Sequence, residues 1–180
     1  MKFILIITLL VSGAATMAQG GTKEDVQKYA DKGFTITYPR HWKNETSGML
    51  GTICFIYAPA DDSTDKFREN VNVLIQDLKG MNIDLEKYKE ITEKQLTNFL
   101  PNSKPEESTI KGEGDQRFYS LRYTMDKDGV TIKIISKCFI KDEKAFLATF
   151  GAESKRYELY KKMGEDCMNS FNLIIDEIAQ

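Results

Sequence analysis

Apolar positions along this chain fall into three kinds of run: unbroken, alternating and helically spaced. The unbroken run comes first. Residues 3–11 are almost wholly apolar, Met1-Lys2 precedes them, and residues 12–18 are small and flexible. A basic start, a short apolar stretch and a small-residue exit describe a secretory signal peptide. The stretch falls short of the roughly 20 residues that a bilayer span needs. Cleavage is expected after Ala18, with Thr16 at the minus-three position, so residues 1–18 are read as the signal peptide and 19–180 as a single mature domain. With no cysteine close behind the apolar run, a lipid anchor is not expected.

The alternating runs predict strands. Residues 20–30 form a lead-in with two open readings: an edge strand alternating about Val26, Lys28 and Ala30, or a short helix capped through Thr22 and Asp25. After a turn at Asp31-Lys32-Gly33, Phe34, Ile36 and Tyr38 point one way and Thr35 and Thr37 the other, until Pro39 ends the strand. His41-Trp42-Lys43 is read as loop. Residues 50–57 are apolar at both parities, the pattern of a strand covered on both sides. Residues 61–69 read as a polar, acidic loop, and Val71, Val73 and Ile75 as the strand after it. Residues 108–111 suit a short strand. Residues 117–125, 130–141 and the run of Phe146, Ala148 and Phe150 then alternate in succession. Turns at Asp128-Gly129 and Asp142-Glu143-Lys144 join them into a meander.

Two stretches carry helical spacing. Leu85, Tyr88, Ile91, Gln95 and Phe99 follow a cap at Asn82 or Asp84; Pro101 closes that helix, and Pro105 is placed in the loop beyond. The second helix spans about residues 154–170. Its inner face holds Tyr157, Tyr160, Gly164, Cys167, Met168 and Phe171, while Lys155, Arg156, Lys161, Lys162 and Asp166 fall mostly outside. Strands followed by helices in this order predict an α+β fold, an antiparallel sheet flanked by helices on both faces.

Composition narrows the classes. The chain is 41% hydrophobic and 29% charged, within the globular range. Of its 25 basic residues Lys2 lies in the leader, leaving 24 against 27 acidic ones. That balance argues against a nucleic-acid partner, which needs a basic face. Cys54, Cys138 and Cys167 are an odd set for an exported chain. Three buried apolar thiols is one reading, and a Cys138–Cys167 bridge is the other.

The order of short motifs resembles the PsbP-like family. Gly33-Phe34-Thr35-Ile36-Thr37-Tyr38-Pro39 with Trp42 resembles its "Gly-Phe-strand-Pro-x-x-Trp" opening. Phe67-Arg68-Glu69-Asn70-Val71-Asn72-Val73 resembles its "Asn-Val-x-Val" strand. Residues 119–123, Asp128-Gly129 and 137–140 resemble its closing meander, and Ser170-Phe171 its terminal "Ser-Phe". The resemblance covers nearly all of the mature chain. It implies the α/β/α sandwich shared by PsbP, the DcrB envelope proteins and Ran-binding proteins of the Mog type, and no single activity. Photosystem binding and a cytosolic Ran-binding role sit badly with a plain export signal; the bacterial envelope members fit it best. No functional residue is carried over.

Candidate chemistry is sparse. His41 is the one histidine, and any Ser-His or Cys-His pair would have to use it. A zinc site wants close Cys or His pairs, which the spacing does not supply. Asp61, Asp62 and Asp65 could offer oxygen ligands to calcium, or form a solvated loop. Asp126-Lys127-Asp128-Gly129 fails as a calcium loop, since Thr131 and Lys137 stand at its sixth and twelfth positions. Lys133, Lys137 and Lys141 share a strand face with Ile135 and Phe139: a basic binding strip if open, snorkelling side chains if a helix covers it. Asn44-Glu45-Thr46 matches a glycosylation acceptor. No catalytic, metal or cofactor residue is therefore assigned. The expected role is that of an exported envelope accessory protein binding an unknown protein partner. Its alternatives are a small-molecule or metal-ion carrier with a pocket between sheet and helix, and a hydrolase centred on His41.

Overall fold

A computed structural model describes residues 25–60, 65, 67–100 and 103–174. The expected signal peptide, the cap at Thr22 and the acidic residues Asp61 and Asp62 lie outside them.

Alternation becomes strand wherever it was regular. Two hairpin strands, β1 (Val26–Asp31) and β2 (Phe34–Pro39), turn at Lys32-Gly33, both with positive φ. They are followed by β3 (Lys43–Glu45), β4 (Cys54–Tyr57) and β5 (Asn70–Asp77). Helix α1 (Leu85–Phe99) precedes β6 (Lys104–Lys111) and the meander β7 (Phe118–Lys127), β8 (Val130–Lys141) and β9 (Lys144–Glu153). Helix α2 (Tyr157–Ser170) and a two-residue strand, β10 (Asn172–Leu173), follow. Both meander turns have two central residues at positive φ, Asp128-Gly129 and Asp142-Glu143. That backbone matches the right-handed twist of the strands it joins.

The strands form two antiparallel sheets where the sequence suggested one. The smaller runs β1-β2-β10; the larger runs β3-β4-β5-β9-β8-β7-β6. The opening hairpin leaves the main sheet because β2 pairs with β10, Thr35 opposite Asn172 and Phe34 opposite Leu173. Such a long-range pairing has no local signal. The fold is thus mixed α+β, with antiparallel sheets and, among the described residues, two α-helices.

Strand β9 is central, and its inner positions are buried at both parities. Ala145 and Leu147 join one apolar cluster with Leu85, Tyr88 and Leu96 of α1 and Leu121, Tyr123, Ile132 and Ile134 of the meander. Phe146, Ala148, Phe150 and Ala152 join the other, with Phe34 and Ile36 of β2 and Tyr157, Tyr160, Cys167 and Met168 of α2. Strand β8 divides in the same way: Ile132, Ile134 and Cys138 enter the first cluster, Ile135 and Phe139 the second.

Several boundaries move. Asp84, not Asn82, caps α1, its carboxylate accepting the Lys87 N–H at 2.7 Å. The buried stripe of α1 is Leu85, Tyr88, Thr92 and Leu96; Phe99 is 62% exposed. Thr92 can turn inward because its hydroxyl donates to the Tyr88 carbonyl at 2.8 Å. Pro105 lies in β6, an edge strand, where a missing N–H costs the ladder little, and the register shifts beside it. Lys43 opens β3 rather than continuing a loop, and β4 starts at Cys54, after a single 3₁₀ turn at Met49–Gly51. Helix α2 starts at Tyr157; Arg156 occupies its N-cap position without a side-chain capping bond.

Candidate functional site

The sequence candidates do not converge. His41 is exposed, beside a Trp42 that is buried against the Tyr160 ring at 6.3 Å between centroids. Cys54, Cys138 and Cys167 are all buried, and none of the three is in a disulfide. Cys138 and Cys167 belong to different clusters, so the bridge weighed between them does not form. Burial pushes the thiols of Cys54 and Cys138 up to about 12, far from the range of a reactive thiolate. Asn44 lies half-buried in β3, with Asn44 opposite Ile56. Asp126 accepts the Thr131 hydroxyl at 2.5 Å across the hairpin. Among the described residues, no group of three or more His, Cys, Asp and Glu side chains could hold a metal ion.

The end of the expected acidic loop is interior. Phe67, Arg68 and Glu69 are buried, and the Asp65 side chain is 1% exposed. Arg156, expected on the outer side of α2, turns inward and reaches Asp65 at 3.0 Å, with Glu69 at 4.0 Å. One Glu69 oxygen accepts the Glu153 N–H at 3.4 Å; the other has no hydrogen-bond partner among the described residues. Burial, with a smaller push from Asp65, raises the Glu69 carboxyl to about 7. The neighbouring Asn70 and Asn72 are spent internally. Asn70 donates to the Arg68 carbonyl at 2.8 Å, and Asn72 to the Asn70 side chain at 3.3 Å, while Val71 and Val73 enter the core. The charges of this segment read as solvated in sequence. Their one signal is position, directly before a strand whose asparagines alternate with buried valines.

The motifs at the two ends of the domain meet. Phe34 packs edge-on against Phe171 at 5.6 Å, and Ser170 accepts the Thr37 N–H at 2.8 Å. These residues hold α2 and the opening hairpin together.

The lysine face of β8 is covered. Lys133 lies over the Tyr157 ring at 4.7 Å, as snorkelling predicts. Lys137 does more. Its ammonium donates to the Phe171 carbonyl at 2.8 Å and sits 4.6 and 4.9 Å from the Phe118 and Phe139 rings. Burial lowers its pKa to about 8. Beside it a cleft of about 130 Å³ runs between α2 and strands β7 and β8, lined by Phe118, Arg122, Ile135, Lys137, Glu165 and Met168, with Lys111 of β6. Arg122 binds Glu165 at 2.9 Å and approaches Glu107 at 3.5 Å; Lys111 binds Glu107 at 2.7 Å. This cleft is the candidate site. Its lining is mixed: the cations Lys111, Arg122 and Lys137, the first two already paired with carboxylates, stand among polar Ser120, Ser136 and Asn169 and apolar Phe118, Ile135 and Met168.

A two-helix α+β chain with a meander, whose opening and closing motifs meet, is the class these features define. The PsbP family pattern matches residues 24–173, and the chain belongs to the PsbP family. No curated protein matches it. Among solved structures it is similar to the cyanobacterial PsbP protein CyanoP of Synechocystis sp. PCC 6803, at 15% identity and a TM-score of 0.60, covering 88% of this chain and 98% of that one. It is similar to LpqN of Mycobacterium tuberculosis at 16% identity and a TM-score of 0.60, covering 83% and 92%. Protein PA94 of Pseudomonas aeruginosa aligns at 10% identity and a TM-score of 0.56, covering 81% and 94%. At these identities the likeness is one of fold.

Proposed function

We propose that this chain is an exported accessory protein of the cell envelope that acts by binding another protein. The observation that carries the reading is the start of the family match at residue 24, just behind the leader-like segment. On this reading residues 1–18 are removed and 19–180 form one PsbP-like domain. Its large sheet is covered by α1 on one face and by α2 with the small sheet on the other, a reading supported by the two separate apolar clusters. The neighbour LpqN is described as involved in cell envelope biogenesis, which agrees with a place in that compartment. Among the described residues no helix is long and apolar enough to cross a membrane. Crosslinking in intact cells, with mass spectrometry of the linked peptides, tests the reading. Links between the domain surface and an envelope protein support it. Links to cytosolic proteins alone, or turnover of a model ester that disappears in His41→Ala, contradict it.

A second reading, a ligand carried between sheet and helix, is favoured by the cleft beside Lys137.

A further inference from the structure

The cleft holds three cations that are unequal in their partners. Arg122 and Lys111 meet the carboxylates of Glu165 and Glu107. Lys137 meets a backbone carbonyl and two ring faces. An ammonium offers three donors, and Lys137 places one on the Phe171 carbonyl. Among the described residues its burial is thus matched by ring quadrupoles and a dipole rather than by a carboxylate. Such a group gains from an incoming anion, because a charge-assisted bond in a shielded site outweighs a neutral one.

The walls set the rest of the ligand. Phe118, with the nearly buried Ile135 and Met168, forms an apolar wall, and Ser120, Ser136 and Asn169 form a polar one. The volume of about 130 Å³ is in the range of a cavity of about 150 Å³ that accepts benzene in another protein, here in a cleft open to solvent on one side. Resting on the ligand-carrying reading above, we propose that this cleft binds a small organic carboxylate whose apolar part is no larger than about one aromatic ring, with its carboxylate on Lys137. Arg122 lines the same cleft and is already paired with Glu165. The charged groups that share the cleft with Lys137 are Lys111 on β6, itself paired with Glu107, Arg122 on β7 and Glu165 on α2. Binding favours the protonated lysine, so affinity falls as the pH is raised through about 8.

Calorimetric titration of the full chain with benzoate, benzyl alcohol and inorganic phosphate tests this. NMR of the Lys137 ε-methylene in the unmutated protein accompanies each titration. Benzoate binding that moves the Lys137 signal, weakens through about pH 8 and drops about tenfold or more in Lys137→Met is the expected result. Benzyl alcohol binding as tightly as benzoate overturns the carboxylate while leaving a ligand-carrying cleft. Phosphate binding as tightly overturns the organic ligand. No binding of any probe overturns both this inference and the second reading. The NMR arm decides the case even where Lys137→Met fails to fold.

Discussion

Gly164 on α2 lies so close to the Phe150 ring on β9 that a methyl group at residue 164 would overlap the ring carbons. The Phe150 ring is fully buried in the cluster shared by β2, β9 and α2, so it has no free space to retreat into. The absent side chain sets how near the helix comes to the sheet.

Gly164→Ala is therefore expected to destabilise the protein by about 1–3 kcal/mol, as overpacking does, although alanine is the better helix former. Glu158→Ala, on the exposed side of the same helix, should change stability by no more than about 0.5 kcal/mol. Urea unfolding of both variants checks this. An unchanged midpoint for Gly164→Ala would show that the helix can shift outward at no cost.

Arg156 holds a buried charge in place. Asp65 is nearly inaccessible and has Arg156 at 3.0 Å. Removing one member of such a pair leaves the other charge in the interior, at a cost of about 3–5 kcal/mol. Arg156→Met should lose stability on that scale, and Asp65→Asn combined with Arg156→Met should recover a large part of it. A double-mutant cycle in chemical denaturation measures the difference. A double variant as unstable as Arg156→Met would mean that Arg156 acts through packing.

Glu69 makes stability depend on pH in an unusual direction. Its folded carboxyl is raised from 4.5 to about 7. Between those values the native state binds more protons than the unfolded chain, so stability falls as the pH rises through that window. The loss is on the order of 3 kcal/mol at most. Glu69→Gln should flatten this slope and be more stable than the parent above pH 7. Parallel pH–stability curves for the two proteins would contradict the assignment.

The thiols should behave as core residues. Cys54, Cys138 and Cys167 are buried thiols outside any disulfide, so a thiol reagent should react slowly with the native protein and titrate three groups in denaturant. Adding a reductant should leave the melting curve unchanged. A titre of one thiol in denaturant would reveal a disulfide and contradict the structure.

Sequence reasoning reached what local pattern determines. The meander was readable because alternation persists on both sides of Asp128-Gly129, a dipeptide suited to positive φ. The inner face of α2 was readable because Tyr157, Tyr160, Gly164, Cys167 and Met168 repeat at helical spacing. What escaped depends on distant partners. Phe34 gives no sign that it will sit opposite Leu173. Arg68 and Glu69 resemble a solvated pair until Arg156 arrives from the start of α2. Thr92 passes for surface because its polarity is cancelled by its own helix, and Phe99 passes for core because it is apolar. The candidate cleft is half legible: the lysines of β8 mark its basic face, but the Phe171 carbonyl that draws Lys137 inward comes from just beyond α2.

The compartment decides whether a contact role in the envelope is open to this chain at all. The most direct measurement is the intact mass of the protein recovered after separating exported from cytoplasmic fractions of its own cells. The account predicts a chain in the exported fraction that begins at Gln19. A full-length chain beginning at Met1 and confined to the cytoplasm would contradict it.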